Sequence, residues 1–350
     1  MQVLITGGLG FIGSNLIKYI FKHHPETKII NLDAVTYAGH HENVSDIEND
    51  PRYTFVKGFI QDKELVDSIV SGQKFGKIDG IINVAAETHV DRSIADPSVF
   101  VHSNVLGTQN LLEAAFLHGK QGDKWTIRYV QVSTDEVYGS LGATGYFVED
   151  TPLAPNSPYS ASKAGADMLC RAYFHTYGMP VMITRCSNNY GPYQHPEKLI
   201  PLFIMNILAD KQVPVYGDGM NVRDWLHVED HCQAIDLAFH KGEPGEVYNI
   251  GGNNERTNIE ITKLMLKELG KGENLIKYVE DRLGHDRRYA IDSTKIRKEL
   301  GWKPVHTFET GIHQTIKWYL DNQEWLKSVS ASCHEKEREL AASNKTSSKN

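Results

Sequence analysis

Residues 2–14 read QVLITGGLGFIGS, in which the apolar run Val3, Leu4, Ile5, Thr6 breaks straight into glycines and then into helix-compatible sequence. Gly7, Gly10 and Gly13 stand in a G-x-x-G-x-x-G arrangement between that strand and the helix it feeds. Glycines there allow a tight turn and close backbone approach to a pyrophosphate, whose charge is stabilised by the amides of a helix N-terminus. The next β-branched run, 29–32, ends at Asp33, where a carboxylate accepts hydrogen bonds from an adenosine ribose and repels a 2′-phosphate. No Arg or Lys stands between Asp33 and His41, so the pattern favours NAD over NADP.

Further runs at 53–56, 80–84, 127–132 and 181–184 alternate with helix-like segments. That rhythm predicts βαβ units and an α/β fold: a Rossmann-like, doubly wound parallel sheet whose ligand crevice lies at the C-terminal strand ends. The expected division is a NAD-binding domain at 1–187, with a later segment near 225–250 returning to it. A smaller, mixed α/β substrate-binding domain is expected at 188–325, interleaved with the first, followed by a polar tail at 328–350. The chain has 350 residues, 40% hydrophobic and 23% charged, with a net charge of −7, which argues against a nucleic-acid or anionic-membrane surface. Cys170, Cys186, Cys232 and Cys333 show neither disulfide-scaffold density nor CxxC metal spacing. The apolar start lacks a basic n-region and no run reaches spanning length, so a cytoplasmic protein without metal is expected.

Two stretches carry chemistry. Tyr159-Ser160-Ala161-Ser162-Lys163 puts a phenol and an ammonium at i, i+4 on one helix face. Lowering a phenol by ~3 pKa units, enough to make it a base at neutral pH, takes ~4 kcal/mol of preference for the phenolate. A neighbouring ammonium and a positive nicotinamide are the expected sources. Ser133-Thr134-Asp135-Glu136 follows the fifth strand, where Thr134 offers a hydroxyl and the two carboxyls can be pushed apart into one acid and one base. Elimination of water needs such a pair; a plain acidic turn capping a helix does not.

The strings TGGLGFIG, AAETHVDRS (85–93), STDEVYG (133–139), PYSASKAGAD (158–167), CSNNYGPYQHPEKLIP (186–201), RDWLHVEDH (223–231) and GHDRRYAID (284–292) closely resemble the nucleoside-diphosphate-sugar 4,6-dehydratases. These are extended short-chain dehydrogenase/reductases. The resemblance implies a hydro-lyase of deoxysugar biosynthesis that takes dTDP-glucose to its 4-keto-6-deoxy product by internal hydride transfer. It implies catalytic roles for Thr134, Asp135, Glu136, Tyr159 and Lys163: Tyr159 as base at the 4-hydroxyl that Thr134 orients, Glu136 as base at C5 and Asp135 as acid at the 6-hydroxyl. Cofactor contacts are implied for Gly7, Gly10, Phe11, Ile12, Gly13, Asp33, Thr36, Ile60, Ala85, Ala86, Thr88, Ser103, Tyr159, Lys163 and Asn189. Substrate contacts are implied for Thr88, Thr134, Asn188, Lys198, Leu199, Pro214, Tyr216, Arg223, Asn258, Arg282 and His285.

Two positions depart from the family pattern: Phe59 stands where an acid is usual, with Asp62 as a substitute, and Leu283 stands where Pro is usual. Arg223, Arg282 and Arg288 together could hold a diphosphate, and pairing with local acids such as Asp224, Asp281 and Asp286 does not exclude it. His227 and His231 lack the zincin order and are expected to be structural. The family implies a homodimer through helices near 98–117 and 157–177. Rival readings are a dehydratase of another sugar nucleotide, a sugar-nucleotide 4-epimerase, which needs no acid to expel a 6-hydroxyl, and a catalytically silent NAD-binding sensor.

Overall fold

Seven strands form one parallel sheet: β1 (Gln2–Thr6), β2 (Lys28–Asp33), β3 (Tyr53–Lys57), β4 (Gly80–Asn83), β5 (Arg128–Thr134), β6 (Val181–Cys186) and β7 (Val247–Ile250), in the order β7-β6-β5-β4-β1-β2-β3. The computed structural model describes residues 1–281 and 285–331. The central strands are apolar throughout because the sheet is covered on both faces. Side chains alternate between the two sides. Leu4, Ile81 and Tyr129 pack with Leu111 and Leu112 of α2 (Gly107–His118) and with Cys170 of α3 (Pro158–Tyr177). Ile5, Ile82 and Val130 pack with Leu16 and Ile17 of α1 (Phe11–His23) and with Ile235 and Phe239 of α4 (Val228–Lys241).

Strand order reverses between β1 and β4, which pair in parallel, so the helices that follow these strands leave on opposite sides and open a crevice at their ends. A buried chain of polar groups holds that junction. Thr6 donates to Asn83 Oδ1 at 2.6 Å, Asn83 donates to Thr108 and Gln131, and Thr6 Oγ1 accepts the Ala85 N–H at 3.1 Å. Ahead of α2, Pro97–Phe100 and the π-helical Val101–Leu106 run on into the same rod.

Beyond β6 the architecture changes. Asn188–Tyr190 pairs with Val222–His227 in parallel, and Glu255–Thr257 adds to the latter antiparallel. Val213–Tyr216 pairs with Ile276–Val279. Leu199–Leu208, Asn258–Glu268 and Phe308–Asp321 close a second core around Phe203, Trp225, Met265 and Tyr319. Between these pieces the chain returns to the main sheet as α4 and β7. Residues 328–331, expected to open the polar tail, are helical: 323–331 form a helix whose Leu326 and Val329 face inward, 6% and 0% exposed. Most of the stretch expected as a tail, with Cys333, lies outside the described residues, as do Arg282 and Leu283.

Candidate active site

The glycine turn is enforced by crowding. Gly7 adopts φ 71°, and a Cβ there would stand 2.7 Å from the Ala85 Cα, while one at Gly13 would meet the Gly7 carbonyl at 2.2 Å. Gly10 is the N-cap of α1 and brings no side-chain cap, nor does an acid occupy the first turn, so the helix end faces the crevice with its amides. Asp33, at the end of β2, accepts Leu9 N–H at 2.9 Å and Val35 N–H at 2.7 Å, which fixes its carboxylate at the rim.

These groups line a cleft of about 880 Å³ at the β1/β4 switch point. Every candidate cofactor residue lines it, from Gly7 to Asn189. An uncapped helix start, glycines that a Cβ would crowd and a fixed acid at the end of β2 are a fitting cradle for a dinucleotide. Asp62 does not line the cleft: it caps Lys63–Val70 by accepting Leu65 N–H at 3.0 Å, whereas Phe59 and Gln61 do line it.

The catalytic candidates converge in the same cleft. α3 starts at a capping box, with Ser157 and Ser160 bonded reciprocally and Pro158 at its first turn, so Tyr159 enters at a fixed angle. Tyr159 and Lys163 both line the cleft, and Lys163 Nζ donates to the Val132 carbonyl at 2.7 Å. Burial pushes the ammonium down from its ordinary value. The phenol goes the other way from the expected one: burial, then the Glu136 carboxylate, push Tyr159 well up. The polypeptide by itself therefore holds a neutral phenol.

Asp135 and Glu136 sit in a 3₁₀ turn, Asp135–Tyr138, capped by Thr134, whose Oγ1 accepts the Glu136 N–H at 3.3 Å. The capping reading thus applies to Thr134 and coexists with a pair of unlike carboxyls. Asp135 is buried, 2% exposed, with Oδ2 lacking a hydrogen bond and Thr134 donating to Oδ1 at 3.3 Å. Burial, then Glu136, then Asp224 push its acid well above the usual range. Glu136 is only half-buried and lines the cleft.

Of the substrate candidates, Thr88, Thr134, Asn188 and Lys198 line this cleft; Leu199, Pro214, Tyr216, Arg223, Asn258 and His285 do not. Arg223 is buried against the second lobe, donating to the Val222 and Asp286 carbonyls and stacking over Tyr289 at 4.4 Å. His285 pairs with Asp281 at 2.6 Å, edge-on to Tyr216. Of the three arginines expected to hold a diphosphate, Arg288 is paired with Glu255 at 2.8 Å, and Arg282 lies outside the described residues.

His231, pushed down to about 3 by burial, sits 2.9 Å from Asn189 Oδ1 and braces that residue. Cleft-lining Cys186 and Glu197 were not singled out from the sequence, although both lie within the 186–201 motif. Asp224 was missed as a neighbour of Asp135; its place directly after Arg223 was the only signal.

The GDP-mannose 4,6 dehydratase family profile matches residues 4–315. The chain is 51% identical over 338 residues to the dTDP-glucose 4,6-dehydratase of Xanthomonas campestris pv. campestris strain B100, covering 93% of this chain and 95% of that one. It is 53% identical to the Bacillus anthracis dTDP-glucose 4,6-dehydratase solved with NAD, covering 94% and 99% of the two chains at a TM-score of 0.86. A Thermotoga maritima UDP-glucose 4-epimerase solved with UDP-glucose shares the fold at a TM-score of 0.83 and 28% identity, over 92% of this chain and all of that one (100%).

Proposed function

Since the chain belongs to the nucleotide-sugar 4,6-dehydratases matched by the GDP-mannose 4,6 dehydratase profile, we propose that it carries out their reaction in this cleft. It is a hydro-lyase that uses NAD to convert dTDP-glucose into dTDP-4-keto-6-deoxyglucose, a step of deoxysugar biosynthesis. The observation that carries the reading is the unlike pair beside the Tyr159–Lys163 face: Asp135 buried, its carboxyl pushed well above its ordinary value, and Glu136 half-buried and lining the cleft.

Bound NAD would supply an acceptor for the C4 hydride and its delivery to C6 in the same turnover, and a positive charge opposing the upward push on Tyr159. The helix start at Gly10–Gly13 and the Asp33 carboxylate would hold it. Tyr159 takes the proton of the 4-hydroxyl, and Thr134 orients that hydroxyl. Once C4 is a ketone, Glu136 removes the acidified C5 proton while Asp135 protonates the departing 6-hydroxyl, so water leaves. Glu136 then returns its proton to C5. At that point Tyr159 holds one proton too many and Asp135 one too few. Thr134 neighbours both, its hydroxyl donating to Asp135 Oδ1 at 3.3 Å and lying beside the Tyr159 phenol, which gives the surplus proton a path home.

For the sugar nucleotide we assign Asn188 and Lys198 from the cleft side, and Pro214, Tyr216, Arg223, Asn258 and His285 from the second lobe. We also place the enzyme in the cytoplasm as a homodimer. Supporting the first, no helix among the described residues is long and apolar enough to cross a membrane, and Cys170, Cys186 and Cys232 are buried free thiols. Supporting the second, Val101, Leu106 and Leu117 on one long rod and Met168 and Tyr177 on α3 are 44–55% exposed.

The test incubates the protein with dTDP-glucose, UDP-glucose and CDP-glucose separately, with NAD and no reductant. The expected product, from dTDP-glucose first, has lost one water and carries a 4-ketone by NMR. A 4-epimer of unchanged mass would refute the reading in favour of an epimerase.

A further inference from the structure

Three side chains that take no part in this reaction converge at the far end of α1. His24 follows that helix, and Asp236 and His240 stand one turn apart on α4. His24 Nε2 lies 2.9 Å from Asp236 Oδ1, and His240 Nε2 lies 3.4 Å from the same oxygen. The two imidazoles are 4.6 Å apart between ring centres. Asp236 is 8% exposed, and its Oδ1 receives no aligned hydrogen bond although both ring nitrogens are near it. His24 meets Oδ2 at 3.0 Å as a hydrogen-bonded His–Asp pair, while Oδ1 is shared between the two imidazoles.

Ligand atoms of a tetrahedral zinc site with bonds of about 2.0–2.1 Å stand roughly 3.3 Å from one another. The two ring-nitrogen distances to Oδ1, 2.9 and 3.4 Å, bracket that value. Two imidazoles with one carboxylate suit a zinc-class ion rather than calcium or magnesium, which take oxygen ligands. The i, i+4 spacing fixes two of the three donors on one helix face. His24 and His240 keep 32% and 31% of their side-chain surface exposed, so the ion has a way in and water has a place beside it. Cys232, one turn before Asp236, is fully buried with its thiol pushed well up, and stays outside the ligand set.

We propose that His24, Asp236 and His240 bind one divalent zinc-class ion, with water as the fourth ligand. The ion ties the end of α1 to α4, two helices that pack on one face of the sheet but lie 212 residues apart at the His24–Asp236 contact. Its effect is on stability and not on turnover, because none of the three residues lines the catalytic cleft.

Full-length protein, treated with chelator and dialysed, is titrated with zinc chloride by calorimetry and melted with and without zinc. One equivalent is expected to bind saturably, and at a hundredfold excess over Kd the Tm should rise by about 5 °C. His24→Gln and His240→Gln should each weaken binding by about tenfold or more, with turnover unchanged. Asp236→Asn keeps the side-chain shape and removes the charge, and should do the same; cobalt in place of zinc should give visible absorption that these variants lose. Absence of saturable zinc binding overturns the proposal. So does binding undiminished in the His24→Gln/His240→Gln double variant, which would move the ion to the other close group among the described residues, His227, Glu229 and His306.

Discussion

Asp135 has its carboxyl pushed well above its ordinary value by what surrounds it: it is buried, next to Glu136 and near Asp224. A carboxyl whose folded pKa lies above its ordinary value binds its proton more tightly folded than unfolded. It therefore destabilises the fold increasingly as pH climbs past about 4, until the folded value is reached. Asp135→Asn is neutral in both states, so we expect it to be more stable than the parent at pH 8, with a smaller margin at pH 5, by thermal melts. The same variant should lose 10²- to 10⁴-fold in turnover and accumulate reduced nicotinamide in a single turnover, since only the acid of the elimination is gone. Tyr159→Phe, folded and binding both ligands, should accumulate none. The opposite pattern would assign the two half-reactions to the wrong residues. The presence of two carboxyls after a strand was legible in the sequence. The family resemblance names Asp135 the acid and Glu136 the base; the residues alone do not, because burial, then Glu136 and Asp224, raise Asp135, and burial, then Glu136, raise Tyr159, and burial is set by the fold.

Among the elements, the strands were the easiest to read, since a sheet covered on both faces needs continuous apolar runs bounded by glycine turns. The π-helical Val101–Leu106 was not: it interrupts the rod ahead of α2 through backbone hydrogen-bond geometry, which leaves no trace in composition. Nor was the ion pair between α3 and β6. Arg185 donates to Asp167 at 2.9 Å with side chains 3% and 0% exposed, and also to the Tyr138 hydroxyl. That pair ties the catalytic helix to the strand beside the Asp135 turn. Asp167→Ala leaves a guanidinium buried without its carboxylate and should cost about 3–5 kcal/mol in denaturant melts, while Asp167→Ala/Arg185→Met should recover most of it. A single-variant loss below about 1 kcal/mol would show that water reaches Arg185 and that the pair is not the tie described.

The whole molecule folds around chain crossings between its two lobes. The second lobe begins after β6, yet α4, which packs against Val130 and Met182, and the edge strand β7 come from inside its span. A fragment of residues 1–187 would lack both, leaving β6 as an open edge with an uncovered apolar face. It should be insoluble or bind a hydrophobic dye, while the full chain melts in one transition; a monomeric, folded fragment by circular dichroism and sedimentation would contradict this. The same crossings impose a timetable on synthesis. β7 emerges about sixty residues after β6, so at 5–20 residues per second a ribosome holds the nascent sheet with that edge bare for roughly 3–12 seconds. Through that interval the newborn chain presents a strand to any neighbour on the same messenger. Slow codons between 187 and 247 are therefore expected to lower the yield of folded chain, measured as soluble enzyme per messenger.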